Sequence, residues 1–326
     1  MKTGKLSNGE LRRLVLDRLP ALPGGITSGP GIGLDCAAVN CEKGQVILTT
    51  DPITGAAKDI GRLAVHISCN DIAACGIRPS ALMLVIIAPA DATAEEISMV
   101  VDQAADAARE LEVSIAGGHT EVSAAVNRFV IVTTALGFAG SGPIIQASGG
   151  KPGDSILMTK TAGIEGTAIF AADQKNRLAA DLSSQELAEA ASLVKQVSVV
   201  AEGVIGGQLG VHAMHDATEG GILGACWELA EASGLGCKIE ADLIPMHPLT
   251  SKICCLLAVD PLRLIASGSL IMATDQPEKL AAALAAKGIC GTIIGKLTEN
   301  GSRVLNLAGK SLELSEPGPD ELYKIT

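Results

Sequence analysis

The feature that most constrains this chain is a break in its middle. Residues 139–154, AGSGPIIQASGGKPGD, concentrate Gly, Ser and Pro between two stretches that each alternate strand-like and helix-like patterns. Before the break, QVILTT (45–50) reads as a strand ending at Asp51, 59–76 as a helix with Ile60, Leu63, Ala64 and Ile67 on one face, and SALMLVII (80–87) as a buried strand. Thr93 and Glu96 have the spacing of a capping box, which predicts a helix to about Leu111. A short strand at 113–116 ending in Gly117-Gly118 and a strand at 129–138 complete this half. After the break the spacing predicts strands at 155–160, 269–274 and 291–297, with helices at 184–205, 219–233 and 277–287. Two halves of this kind make a two-domain α/β (α+β) protein, divided into 1–142 and 143–326.

Composition excludes several functions. The net charge is −11 and aromatics are only 2%, unlike the basic, aromatic-bearing surfaces that take up nucleic acid. No apolar run approaches the roughly 18 residues that span a bilayer, and the charged start MKTGKLSNGELRRLVLDRL has no apolar signal core. A cytoplasmic chain without membrane or nucleic-acid partners is expected. None of the nine cysteines forms a C-x-x-C pair. Cys69, Cys75, Cys226, Cys254 and Cys255 lie in apolar segments and are expected as buried thiols.

Two phosphate motifs fail on inspection. Gly309-Lys310-Ser311 would close a P-loop, but Val304 stands where its first glycine belongs, and Gly31-Ile32-Gly33 meets Cys36 at the third glycine of a dinucleotide fingerprint. The stronger signal is acidic residues in apolar settings: Asp35 within GLDCAAV, Asp51 after a strand, Asn70-Asp71 inside an apolar helix. Singly, each has an ordinary explanation as a turn residue or a locally bonded side chain. Together, buried carboxylates need cations, and no lysine or arginine pattern supplies them all. Hard oxygen ligands favour Mg²⁺, which also binds substrate phosphates. Gly117-Gly118-His119-Thr120 allows close backbone approach to a ligand. In HDATEGG (215–221), the start of a helix offers amides to phosphate, with Asp216 or Thr218 as its cap.

The segments GLDCAAV, TTD, DIGRLAVHISCNDIAACGIRPSALML, GGHTEV, KTAGIEGTAIFA, HDATEGG and ASGSLIMAT occur in an order that resembles the superfamily of aminoimidazole ribonucleotide (AIR) synthase, selenophosphate synthetase, thiamine-monophosphate kinase and hydrogenase maturation protein E. The resemblance covers nearly the whole chain and is nearest to the hydrogenase-maturation branch. It implies N-terminal domains that pair as a homodimer into a β-barrel, a C-terminal α/β sandwich, and ATP in a cleft near the dimer interface. It also implies Mg²⁺ ions bridging the phosphates to Asp35, Asp51 and Asp71. Asn70, Gly117, Gly118, His119 and Thr120 would line the nucleotide, and Asp216, Thr218, Gly220 and Gly221 would come from the second domain. The usual chemistry moves a phosphoryl group from ATP to an oxygen or selenium nucleophile, with a protein partner in metalloenzyme maturation for the nearest branch. That branch uses a cysteine at its extreme C-terminus; here the last residues are GPDELYKIT and the last cysteine is Cys290. Cys36 stands where the family often has a second aspartate. The alternative is a non-catalytic paralogue that binds nucleotide as a scaffold or sensor.

Overall fold

The computed structural model describes residues 6–20, 25–54, 58–140 and 144–325. In the first half, α1 (Asn8–Leu14), β1 (Ile26–Ser28), β2 (Ala37–Cys41), β3 (Gly44–Ile53), α2 (Ile60–Ala74), β4 (Pro79–Pro89), α3 (Ala94–Leu111), β5 (Ser114–Ser123) and β6 (Val130–Ala139) follow in order. The second half holds β7 (Ser155–Thr159), α4 (Ile164–Asp173), α5 (Lys175–Leu178), α6 (Ser184–Ser192), α7 (Val200–Leu209), β8 (Ala213–Asp216), α8 (Gly221–Ala232) and β9 (Gly236–Glu240). It continues through α9 (Pro248–Leu257), β10 (Leu270–Thr274), α10 (Pro277–Ala285), β11 (Gly291–Thr298), β12 (Arg303–Leu307) and β13 (Lys310–Glu313).

Each half builds one mixed sheet, six strands in the order β1-β2-β3-β6-β4-β5 and seven in the order β13-β12-β9-β11-β7-β10-β8. The pairs β4–β5 and β9–β12 are parallel and the others antiparallel. The first sheet ends at Ala139 and the second begins at Ser155; the expected division at 142/143 falls outside the described residues. Neither sheet closes into a barrel within one chain.

The first sheet has unequal faces. On β6, Ile131, Thr133, Ala135 and Gly137 are buried beneath α2, while Val130, Val132, Thr134, Leu136 and Phe138 alternate outward. Phe138 is 64% exposed, and Met83, Ile115 and Val122 are exposed as well. Helix α2 is buried almost all round. A helix with no polar face needs apolar neighbours on every side, and one continuous core runs from the first sheet through α2 to α4, α6 and α9 of the second half.

Several expectations need correction. The long helix at 184–205 is broken: α6 stops at Ser192, a 3₁₀ turn follows over Leu193–Gln196, and α7 starts at Val200. The cause is tertiary, because the Asn70 side chain captures the backbone across the gap. Its Nδ2 donates to Val197 O (2.7 Å) and its Oδ1 accepts from Val199 N (2.8 Å). The 113–116 strand runs on to Ser123, through Gly117-Gly118. Gly118 has φ +153°, and a Cβ there would lie 1.8 Å from Leu84 O. The glycine is therefore needed for strand contact, next to a bulge opposite Leu82 and Met83. The capping box of Thr93 and Glu96 forms as expected. All nine cysteines are free; Cys69, Cys75, Cys226 and Cys254 are buried, but Cys255 is exposed, one helical step round α9 from Cys254.

Candidate functional site: a carboxylate centre between the two halves

The carboxylates of Asp51 and Asp71 meet at the Thr49 hydroxyl, and Asp35 and Asp216 lie close enough to Asp71 to raise its pKa. Strand β3 does not end at Asp51 but continues to Ile53. Period-two geometry therefore places Thr49 and Asp51 on the same face, beneath α2. Thr49 Oγ1 lies 2.6 Å from Asp71 Oδ2, 3.3 Å from Asp51 Oδ2 and 3.1 Å from the carbonyl of Asp35. Its single proton serves the shortest contact, Asp71. Asp71 comes from α2, Asp35 from the turn before β2, and Asp216 from the end of β8 in the second half.

The electrostatics are those of a site short of positive charge. Asp71 is 4% exposed, and burial, then the charges of Asp216, Asp51 and Asp35, push its pKa well above the carboxylate range. Burial, with Asp35 and Asp51, raises Asp216 to about 7. His215 precedes it on β8. Burial opposes its charge, but Asp35 and Glu228 outweigh that and raise it to about 10. Its Nε2 is 3.0 Å from Glu228 Oε2 and its Nδ1 3.2 Å from Asp35 Oδ2. One ligand atom each from Asp35, His215 and Asp216 lie within 4.8 Å of one another. Asp216 Oδ2 is buried without a hydrogen-bond partner. A buried, unpaired carboxylate oxygen facing further carboxylates is the donor chemistry that Mg²⁺ suits, so the residues fit a hard divalent ion.

The other residues singled out in the sequence lie as follows. Asn70 has both ends of its amide committed to the Val197–Val199 backbone, which makes it a fastening between the halves. Gly117, Gly118, His119 and Thr120 sit on β5, three strands from β3, or about 14 Å at ordinary strand spacing; within one chain they stand apart from the carboxylates. Neither Asp216 nor Thr218 caps α8. Asp216 belongs to β8, and the cap is Gly220 at φ +87° with no side-chain cap bond. The Gly220 amide, expected to face phosphate, donates instead to Asp320 Oδ2 (2.7 Å), whose Oδ1 accepts from Ile265 N and Leu322 N. Pro317 packs on Gly220. Gly221 closes a turn onto Thr218 O. Cys36 is buried beside the site, its thiol held neutral by a hydrogen bond with Cys75 and by burial.

Thr49, His215 and Glu228 carry the site's geometry without having been assigned a role from the sequence. Thr49 had a signal, two residues before Asp51 on a strand. Glu228 had none, since only the turn of α8 toward β8 brings it to His215.

Fold and site together define a two-sheet α/β protein with an acidic centre at the junction of its halves. Residues 33–139 match the family model for the AIR synthase related protein, N-terminal domain, and residues 151–307 the model for its C-terminal domain. A hydrogenase expression/formation protein of Methanocaldococcus jannaschii is 30% identical over 84% of this chain and 81% of its own length. Carbamoyl dehydratase HypE of Bradyrhizobium diazoefficiens is 31% identical over 78% and 73%. Among solved structures, hydrogenase maturation protein HypE in complex with ATP superposes with a TM-score of 0.70 at 26% identity, over 90% of this chain and 92% of that one. The HypE–HypF complex gives 0.73 at 25% identity, over 86% and 93%. The chain belongs to the AIR synthase-related family, on its HypE hydrogenase-maturation branch. No helix among the described residues is long and apolar enough to cross a membrane.

Proposed function

We propose that this protein binds ATP through Mg²⁺ held by Asp35, Asp51, Asp71 and Asp216, and that it transfers the terminal phosphoryl group to an oxygen of a small molecule or partner protein. The observation that carries this reading is the clustering of four aspartates from both halves around Asp71. Phosphoryl transfer needs mainly positioning and charge neutralisation, which such a centre supplies once metal is bound. The solved relative in complex with ATP supports the nucleotide, and the HypE–HypF complex supports a maturation partner. The outward apolar face of the first sheet, with Phe138 and Met83 exposed, supports a homodimer closed across that face, in which β5 of each chain meets its counterpart's sheet.

Calorimetry of ATP with and without Mg²⁺ tests the core of this reading. Binding should vanish in excess chelator and return with Mg²⁺; full binding in chelator would sink it. A second reading, nucleotide binding without turnover, is favoured by the docked segment around Asp320, which already occupies the Gly220 amide. Phosphate release from Mg²⁺-ATP with a purified maturation partner separates the two.

A further inference from the structure

A cavity of about 190 Å³ lies on the seam between the halves, away from the carboxylate centre. Lys58, Asp59 and Leu63 reach it from the entry to α2, and α4, α5 and α6 supply most of the rest. Leu63 precedes Asp71 by about two turns of α2, or about 12 Å along its axis, and none of the four aspartates lines the cavity. Its inner walls are aliphatic, with Leu63, Ile169, Leu187 and Val194 all buried. Glu165, in the first turn of α4, is the exception. It is 3% exposed, and its Oε2 is a buried atom without a hydrogen-bond partner. Burial pushes this carboxyl up to about 7; Ser267 eases the shift, and the charges of Asp320 and Glu219 add to it. The mouth is balanced, with Lys58, Asp173 and Lys175 exposed and Asp59 half-buried. The negative potential inside therefore comes from Glu165 and the two acids near it. A buried acceptor left without a donor is costly, and one among like charges is satisfied best by a donor that brings positive charge. The room is that of roughly six waters at about 30 Å³ each, which admits a short chain and excludes a nucleotide.

We propose that this cavity binds a short-chain aliphatic amine as its ammonium ion, which donates to Glu165 Oε2 while its alkyl chain lies along Leu63, Ile169, Leu187 and Val194. The reading of the carboxylate centre as an ATP site is not needed for it. Because the lining comes from both halves, the occupant also ties the start of α2 to α4 and α6.

n-Butylammonium is the probe, with 1-butanol and butyrate as its uncharged and oppositely charged counterparts. Ligand-observed NMR titration of the full-length protein should give one butylammonium per chain, with a dissociation constant of about 1 mM or tighter. 1-Butanol should bind at least about tenfold more weakly, and butyrate not at all. Glu165→Gln keeps the shape and removes the charge; it should weaken the amine by about tenfold or more and change 1-butanol little. Ala188→Trp, at an exposed position of α6 that lines the mouth, should abolish uptake of amine and alcohol alike, and it decides the matter where Glu165→Gln does not fold. Equal affinity for all three probes, no binding at tens of millimolar amine, or unchanged binding in Ala188→Trp overturns the site. So does displacement of the amine by Mg²⁺-ATP, which would put it at the carboxylate centre instead.

Discussion

Asp216→Asn offers a quantitative test of the carboxylate centre, because its sign depends on metal. Without a cation, the folded protein holds Asp216 at a pKa of about 7 against an ordinary 3.8, chiefly through burial and Asp35. A carboxyl whose pKa rises on folding contributes stability that is complete below its unfolded value and is lost as pH climbs to the folded value. Three pH units at about 1.4 kcal/mol each put the loss at roughly 4 kcal/mol by pH 7. His215 has the same sign, since its raised pKa of about 10 means stability present below 6.5 and lost as pH rises through 10. The metal-free protein should therefore become steadily less stable from pH 5 to pH 9. Asp216→Asn removes the first part of that slope. The lost attraction to His215 offsets some of the gain, so the variant should melt about 5 °C higher than the wild type at pH 7.5 in chelator. The gain should shrink toward pH 5. With Mg²⁺-ATP the order should reverse, because only the wild type gains the full binding energy. Differential scanning calorimetry at three pH values, with chelator and with metal, measures all of this. A variant less stable than the wild type in chelator at every pH would refute the account of Asp216 as a carboxylate destabilised by burial and neighbouring negative charge.

Three further outcomes are expected. Asn70→Ala leaves Val197 C=O and Val199 N–H without their side-chain partners and should cost about 2–4 kcal/mol in urea unfolding; a loss below 0.5 kcal/mol would show that the gap before α7 needs no fastening. Gly118→Ala forces a Cβ onto Leu84 O, whereas at Gly117 it meets only the end of Met83 at 3.2 Å. The first should cost about 3 kcal/mol or more and the second under 1, and equal losses would contradict the β5 geometry. Light scattering should give about twice the 33.1 kDa chain mass, and Phe138→Glu should lower it toward the single chain; a wild-type monomer at micromolar concentration would reject dimerisation through the open face.

Much of the architecture can be read from local pattern. The Gly/Ser/Pro break separates two runs of alternating elements, and the capping box sets the start of α3, because hydrophobic period and helix-end chemistry act over a few residues. The same locality explains why Asp35, Asp51 and Asp71 stand out: a carboxylate in an apolar segment is visible without knowing its neighbours. What tertiary structure alone decides is which groups share a point in space. The 184–205 pattern is periodic throughout, and it breaks because a side chain 127 residues away takes its backbone bonds. Gly220 looks like an open anion site until Asp320, 100 residues later, accepts from its amide. His119 and Thr120 sit in a motif as suggestive as any, yet the sheet order places them three strands from the aspartates. His215 is adjacent to a residue that the sequence singles out, and its role follows from Asp35 and Glu228, which reach it from opposite halves of the fold. Sequence specifies the chemistry each segment can offer; the packing of α2 on the first sheet and of α8 on the second decides which of those offers meet.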